Sequence, residues 1–139
     1  MTARTRVRTQ PCSGEEARKR LRDARAFLEV ATLVADEGEG RSYAGVAASL
    51  AVLAGIAASD AACCRALGRR ARGDDHQEAS ALLAQVEPGG QEASRALARL
   101  LSIKDGAQYG FTDVGGANLR GAMRQAGAVV EFAAAVLVR

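Results

Sequence analysis

A chain of 139 residues, 48% of them hydrophobic and 25% charged, is long enough to bury one core without a metal or disulfides. Its net charge of +3 rests almost wholly on arginine and is a weaker bias than a dedicated DNA-binding domain carries. With 4% aromatics and no Trp, the core must come from Ala, Leu and Val. Side chains that small bury little area each, so several helices have to share the work.

In chain order, residues 1–12 hold Arg4, Arg6 and Arg8 without apolar periodicity and read as a flexible basic arm. The arm contains no apolar h-region, so it is not read as a secretory signal. Residues 13–139 read as a single helical-bundle domain. Ser13-Gly14-Glu15-Glu16 has the form of a capping box that opens a first helix running to about Ala35. Its inner stripe is Ala17, Leu21, Ala24, Leu28 and Ala31, widened by Phe27 and Val34. Arg18, Lys19, Arg20, Arg22 and Arg25 fall on the other faces, the pattern of a basic solvated surface. An acidic, Gly-rich turn, Asp36 to Gly40, follows.

Tyr43 to Arg70 predicts a central helix of about 40 Å, capped by Ser42. It carries no charge before Asp60, and Val46, Leu50, Leu53, Ala57, Cys64 and Leu67 recur at helical spacing. Almost no polar face precedes Asp60, so other helices should surround it. The uncharged run only reaches the lower limit for a membrane span and is Ala/Gly-rich, so it is read as a core helix. Asp74 or Asp75 would cap a third helix with Ala79, Leu82, Leu83 and Val86 inward. Glu87-Pro88-Gly89-Gly90 breaks it. A fourth helix runs from Gln91 to about Lys104, burying Leu97, Leu100, Leu101 and Ile103. Asp105 to Phe111 reads as a corner. A last helix capped by Thr112 or Asp113 presents Leu119, Ala122, Met123, Ala126, Val129, Val130, Ala133 and Leu137. Together these predict an all-α antiparallel bundle of four to five helices with no sheet.

Cys12, Cys63 and Cys64 are odd in number and include an adjacent pair, which reads as packed or free thiols in a reducing cytoplasm. No C-x-x-C or His-Cys grouping implies a metal or another cofactor. Nucleotide-loop and zinc-protease motifs are missing as well.

Two places invite chemistry. Asp60 interrupts an apolar helix and should be paired, because an unpaired buried charge costs several kcal/mol. Lys104, Tyr109 and Arg120 are its candidate partners. Arg70 or Arg72 with His76, the only histidine, offers a cation for a phosphate and a group that titrates near neutral pH. That combination suits a metal-independent ribonuclease, though a surface histidine after a Gly-Asp-Asp break is ordinary. The last helix is apolar on more than one face, so a twofold dimer through Val129, Ala133 and Val136 is expected, with Tyr109 and Phe111 at its edge.

From about Leu21 to Leu137 the chain resembles the HEPN family of small helical bundles. The resemblance rests on the Tyr43-initiated Ala-rich helix, Asp60-Ala61, Gly73-Asp74-Asp75-His76 leading to Leu82-Leu83, and Lys104-x4-Tyr109 before a final Ala/Val-rich helix. It implies a dimer and, in many members, a minimal nucleotidyltransferase as protein partner in toxin–antitoxin or defence modules. Other members are ribonucleases with R-x4-6-H near the last helix. Here that helix has Arg120 and Arg124 but no histidine, and the pair that exists follows the second helix. The reading is therefore a non-catalytic, cytoplasmic HEPN-like interaction protein. The alternatives are a ribonuclease using Arg70 or Arg72 with His76, and an RNA- or other nucleic-acid-binding module using the basic arm and first helix.

Overall fold

The computed structural model describes residues 7–73 and 76–139. Along them run β1 (Thr9–Pro11), α1 (Gly14–Glu37), α2 (Arg41–Leu67), β2 (Arg69–Ala71), α3 (His76–Leu83), α4 (Gly90–Leu101), α5 (Lys104–Tyr109) and α6 (Gly116–Leu137). The architecture is an all-α antiparallel bundle with α2 at its centre, touched by α1, α3, α4, α5 and α6.

The capping box at the start of α1 is present in full. Ser13 Oγ accepts from the Glu16 amide, and Glu16 Oε1 accepts from the Ser13 amide, both at 3.1 Å. Ala17, Leu21, Ala24 and Ala31 are buried as their spacing predicts, with Phe27 and Leu28 packed at the edge of the core. Helix α2 starts at Arg41 after Gly40 without a side-chain cap, so Ser42 lies inside it. It stops at Gly68, whose φ of 70° a residue with a Cβ rarely adopts.

The interior face of α2 differs from expectation. Its buried wall is made of small residues, among them Ala47, Ala48, Ala51, Ala54, Gly55, Ala58, Ala61 and Ala62. Val46 (47% exposed) and Leu53 (38%) point outward, and Leu50 is half-buried. A helix enclosed by several neighbours gains most where the backbones approach closely, and alanine permits that approach. Of its larger side chains Val52 is buried, while Val46 and Leu53 are left at the rim. Gly55 marks the tightest point, because Leu100 of α4 occupies the space a Cβ would take. By length and composition α2 resembles a membrane span, yet two thirds of its most apolar window (67%) is buried inside the bundle.

Leu82, Leu83 and Val86 join Leu97 and Leu100 in the core. Ser94 Oγ donates to the Ser80 carbonyl at 2.7 Å, tying α4 to α3. Gly90 sits where a Cβ would lie 2.6 Å from the Leu83 carbonyl oxygen. The expected corner after α4 contains the short helix α5. Helix α6 begins after Gly115 rather than at a Thr112 or Asp113 cap. The predicted caps Asp74 and Asp75 lie outside the described residues.

Three expectations are corrected at the N-terminal end. A small sheet exists: β1 pairs antiparallel with β2, with Thr9 opposite Ala71 and Pro11 opposite Arg69. Residues 7–12 are therefore not a loose arm; Arg4 and Arg6 lie outside the described residues. Two of the cysteines are not free, since Cys12 and Cys64 form a disulfide across 52 positions, with Cα atoms 5.4 Å apart. The Cys12 amide also donates to the Gly68 carbonyl. Only Cys63 is a free thiol, and it is buried.

The proposed dimer residues are corrected too. Val129 and Ala133 are fully buried and Val136 is 2% exposed, so all three belong to the core of a single chain and cannot face a second copy. They pack inward because α6 lies against α1, α2 and α4.

Candidate functional site

Asp60 is the polar residue on α2 around which a site forms. Its side chain is 15% exposed, and its Oδ2 accepts from Arg20 Nη2 at 3.0 Å. None of the partners expected from sequence fills this role. Tyr109 is 72% exposed, Arg120 is exposed, and Lys104 is half-buried at the start of α5. The reason is the register of α1 on α2. Arg20 follows Ala17 by three residues and precedes Ala24 by four, so it borders the buried stripe and reaches Asp60 across the α1–α2 contact. That spacing was a usable signal, hidden by counting Arg20 among the solvated basic residues.

Arg20 Nη1 also lies 3.6 Å from Asp23, which Lys19 holds at 2.6 Å one turn along the helix. The Lys19 ammonium is the main reason the Asp23 carboxyl titrates below its usual value. Asp60 goes the other way. Burial pushes its carboxyl above the ordinary value, outweighing the pull of Arg20 and of Arg70. The neighbouring Cys63 thiol is pushed up to about 12, chiefly by burial and further by Asp60, which leaves it an inert core residue.

Cys12, Glu16, Lys19, Arg20, Asp60, Cys64 and Arg70 line one cleft of about 340 Å³ over the disulfide. Lys19 and Arg20 are committed to carboxylates. Arg70, held on β2 opposite Gln10, makes no hydrogen bond or ion pair from its guanidinium among the described residues. Of the residues singled out for phosphate chemistry, the structure thus places Arg70 beside Asp60. Arg72 is exposed, its amide donating to the Arg8 carbonyl at 2.7 Å. His76 begins α3, and its side chain lies outside the described residues.

A second concavity, about 450 Å³, lies where the start of α2 meets α5 and the segment before α6. Its floor is Gly45, Val46, Ser49 and Leu50; Ala107, Thr112 and Val114 form the opposite wall. Arg41 and Asp113, of opposite charge, both line it. Between wall residues Gly110 and Thr112 stands Phe111, fully solvent-exposed, with Tyr109 two residues before it. Val46 and Leu50, which periodicity assigned to the core, therefore line this groove.

The sequence matches no protein-family model and no curated protein.

Proposed function

We propose that this chain is a non-catalytic, HEPN-like interaction protein that pairs with a second copy of itself through the groove at the start of α2. The carrying observation is the fully exposed Phe111 on the rim of an apolar-floored groove. An exposed aromatic beside an apolar-floored groove has the form of an interface anchor and the pocket that receives it. A twofold axis would set Phe111 of each copy into the groove of the other. The same axis would place Arg41 of one copy by Asp113 of its mate, so a single surface carries both halves of the complementarity. As in HEPN-type modules, such a dimer would work with a further protein partner, such as a minimal nucleotidyltransferase. This groove replaces the face of α6 as the dimerisation surface.

Light scattering across a dilution series tests the reading. A dimeric mass at tens of micromolar, falling to monomer for Phe111→Asp with an unchanged helical circular dichroism spectrum, is expected. A monomeric parent, or a variant that dimerises as the parent does, overturns it.

A further inference from the structure

The charged cleft and the disulfide beneath it remain unused by a docking function, and together they describe a place for covalent chemistry. We propose that the Cys12–Cys64 bond is an exchange site for a small anionic thiol, which enters the cleft with its carboxylate on Arg70 and attacks Cys12 Sγ. Three independent features converge on that reading. Both cysteines line the cleft, so the bond is reached from solvent through it. Cys12 is half-buried whereas Cys64 is 3% exposed, which makes Cys12 Sγ the sulfur open to attack. Arg70 lines the cleft and acts on Asp60 through space, with no hydrogen-bonded carboxylate among the described residues, so its guanidinium donors can hold an incoming carboxylate.

The step balances without a further redox partner. A thiol loses its proton to solvent and, as the thiolate, forms a new S–S bond to Cys12. The Cys12–Cys64 bond breaks, and Cys64 leaves as a thiolate that takes up a proton. A second equivalent of the same thiol then attacks the sulfur of the bound adduct. It departs as the symmetric small-molecule disulfide and leaves Cys12 reduced, two thiols having supplied two electrons. Cys63 takes no part, being buried at 2% exposure with its thiol held protonated. The consequence of the first step is mechanical. Once Cys12 carries the adduct, β1 loses its covalent tie to α2 and is held by its short ladder, the Cys12 amide to Gly68 carbonyl hydrogen bond, the packing of Val7 and the Arg8–Glu78 contact at 3.4 Å.

The test uses the full chain purified in air without reductant. It is exposed to glutathione (two carboxylates), 2-mercaptoethanol (neutral) and cysteamine (cationic), with intact mass and peptide mapping as readouts and rates expressed per thiolate. Expected is an adduct on Cys12, forming about fivefold faster with glutathione than with cysteamine at low salt. That preference should shrink to within about twofold in Arg70→Gln, and likewise in the parent at about 1 M salt, where charge is screened and no substitution is needed. Three titratable thiols in the air-purified protein, an adduct on Cys64, or a charge preference that survives both Arg70→Gln and high salt would each overturn the proposal.

Discussion

At Asp60 two electrostatic effects oppose each other, and the larger one sets a measurable pH dependence. Burial favours the neutral acid, Arg20 favours the carboxylate, and burial prevails, so the group titrates above 3.8 in the folded chain. Between 3.8 and that raised value the folded state still binds a proton that the unfolded chain has released. Stability therefore falls as pH rises through the window and levels off above it. Asp60→Asn keeps an acceptor for Arg20 and lacks the titration. Its unfolding free energy minus that of the parent should increase as pH rises through that window and then stay flat. Urea denaturation from about pH 3.5 to about pH 7 measures this, and a parent-to-variant difference independent of pH would refute the balance. The position of Asp60, mid-helix and needing a partner, was legible in the sequence. Its partner was legible only in part: the spacing of Arg20 from Ala17 and Ala24 sets it beside the buried stripe, but choosing it over Lys104 or Arg120 depends on how two helices are set side by side.

Among the elements, the buried face of α1 was readable, whereas that of α2 was readable only at Ala57 and Cys64, for one physical reason. The stripe of α1 alternates with charged residues, so its period singles out a face: Ala17, Leu21, Ala24 and Ala31 are buried. Helix α2 is apolar nearly all round, so the spacing of Val46, Leu50 and Leu53 says nothing about which side lies inward. Close packing then chose the alanines. The ribbon of β1 and β2, three residues each, is too short for a strand pattern to emerge, and Cys12 and Cys64 are brought together only by the return of α2 past the start of α1. That pairing has an energetic signature. Closing a loop of 52 residues restricts the unfolded chain, and Cys12→Ser should lower stability by about 2–4 kcal/mol. Chemical denaturation of the oxidised parent against the variant checks this; a difference below about 0.5 kcal/mol would mean that the bond is not formed in solution.

At the scale of the whole molecule, the bundle resolves a shortage of bulky side chains by lining α2 with its smallest residues and burying against them the leucines of α3 and α4, Leu82, Leu83, Leu97 and Leu100. Polar contacts tie the C-terminus to the segment between α3 and α4. Arg139 donates to the carbonyls of Glu87 and Pro88, and its guanidinium lies 5.7 Å from the Phe132 ring centre. The Cys12–Cys64 bond adds a property of a different kind, a path for tension. If the chain is stretched from its two ends, load entering at Cys12 crosses directly to Cys64 and never passes through α1 or most of α2. Those two helices can come apart but cannot be drawn out. In an optical trap the fully extended oxidised chain should be shorter than the reduced one by roughly 180 Å, the span of the 52-residue bypass. Equal contour lengths before and after a dithiol is added would show that tension runs through every residue. With the bond in place, α1 and α2 form a covalent ring on which the rest of the molecule is hung.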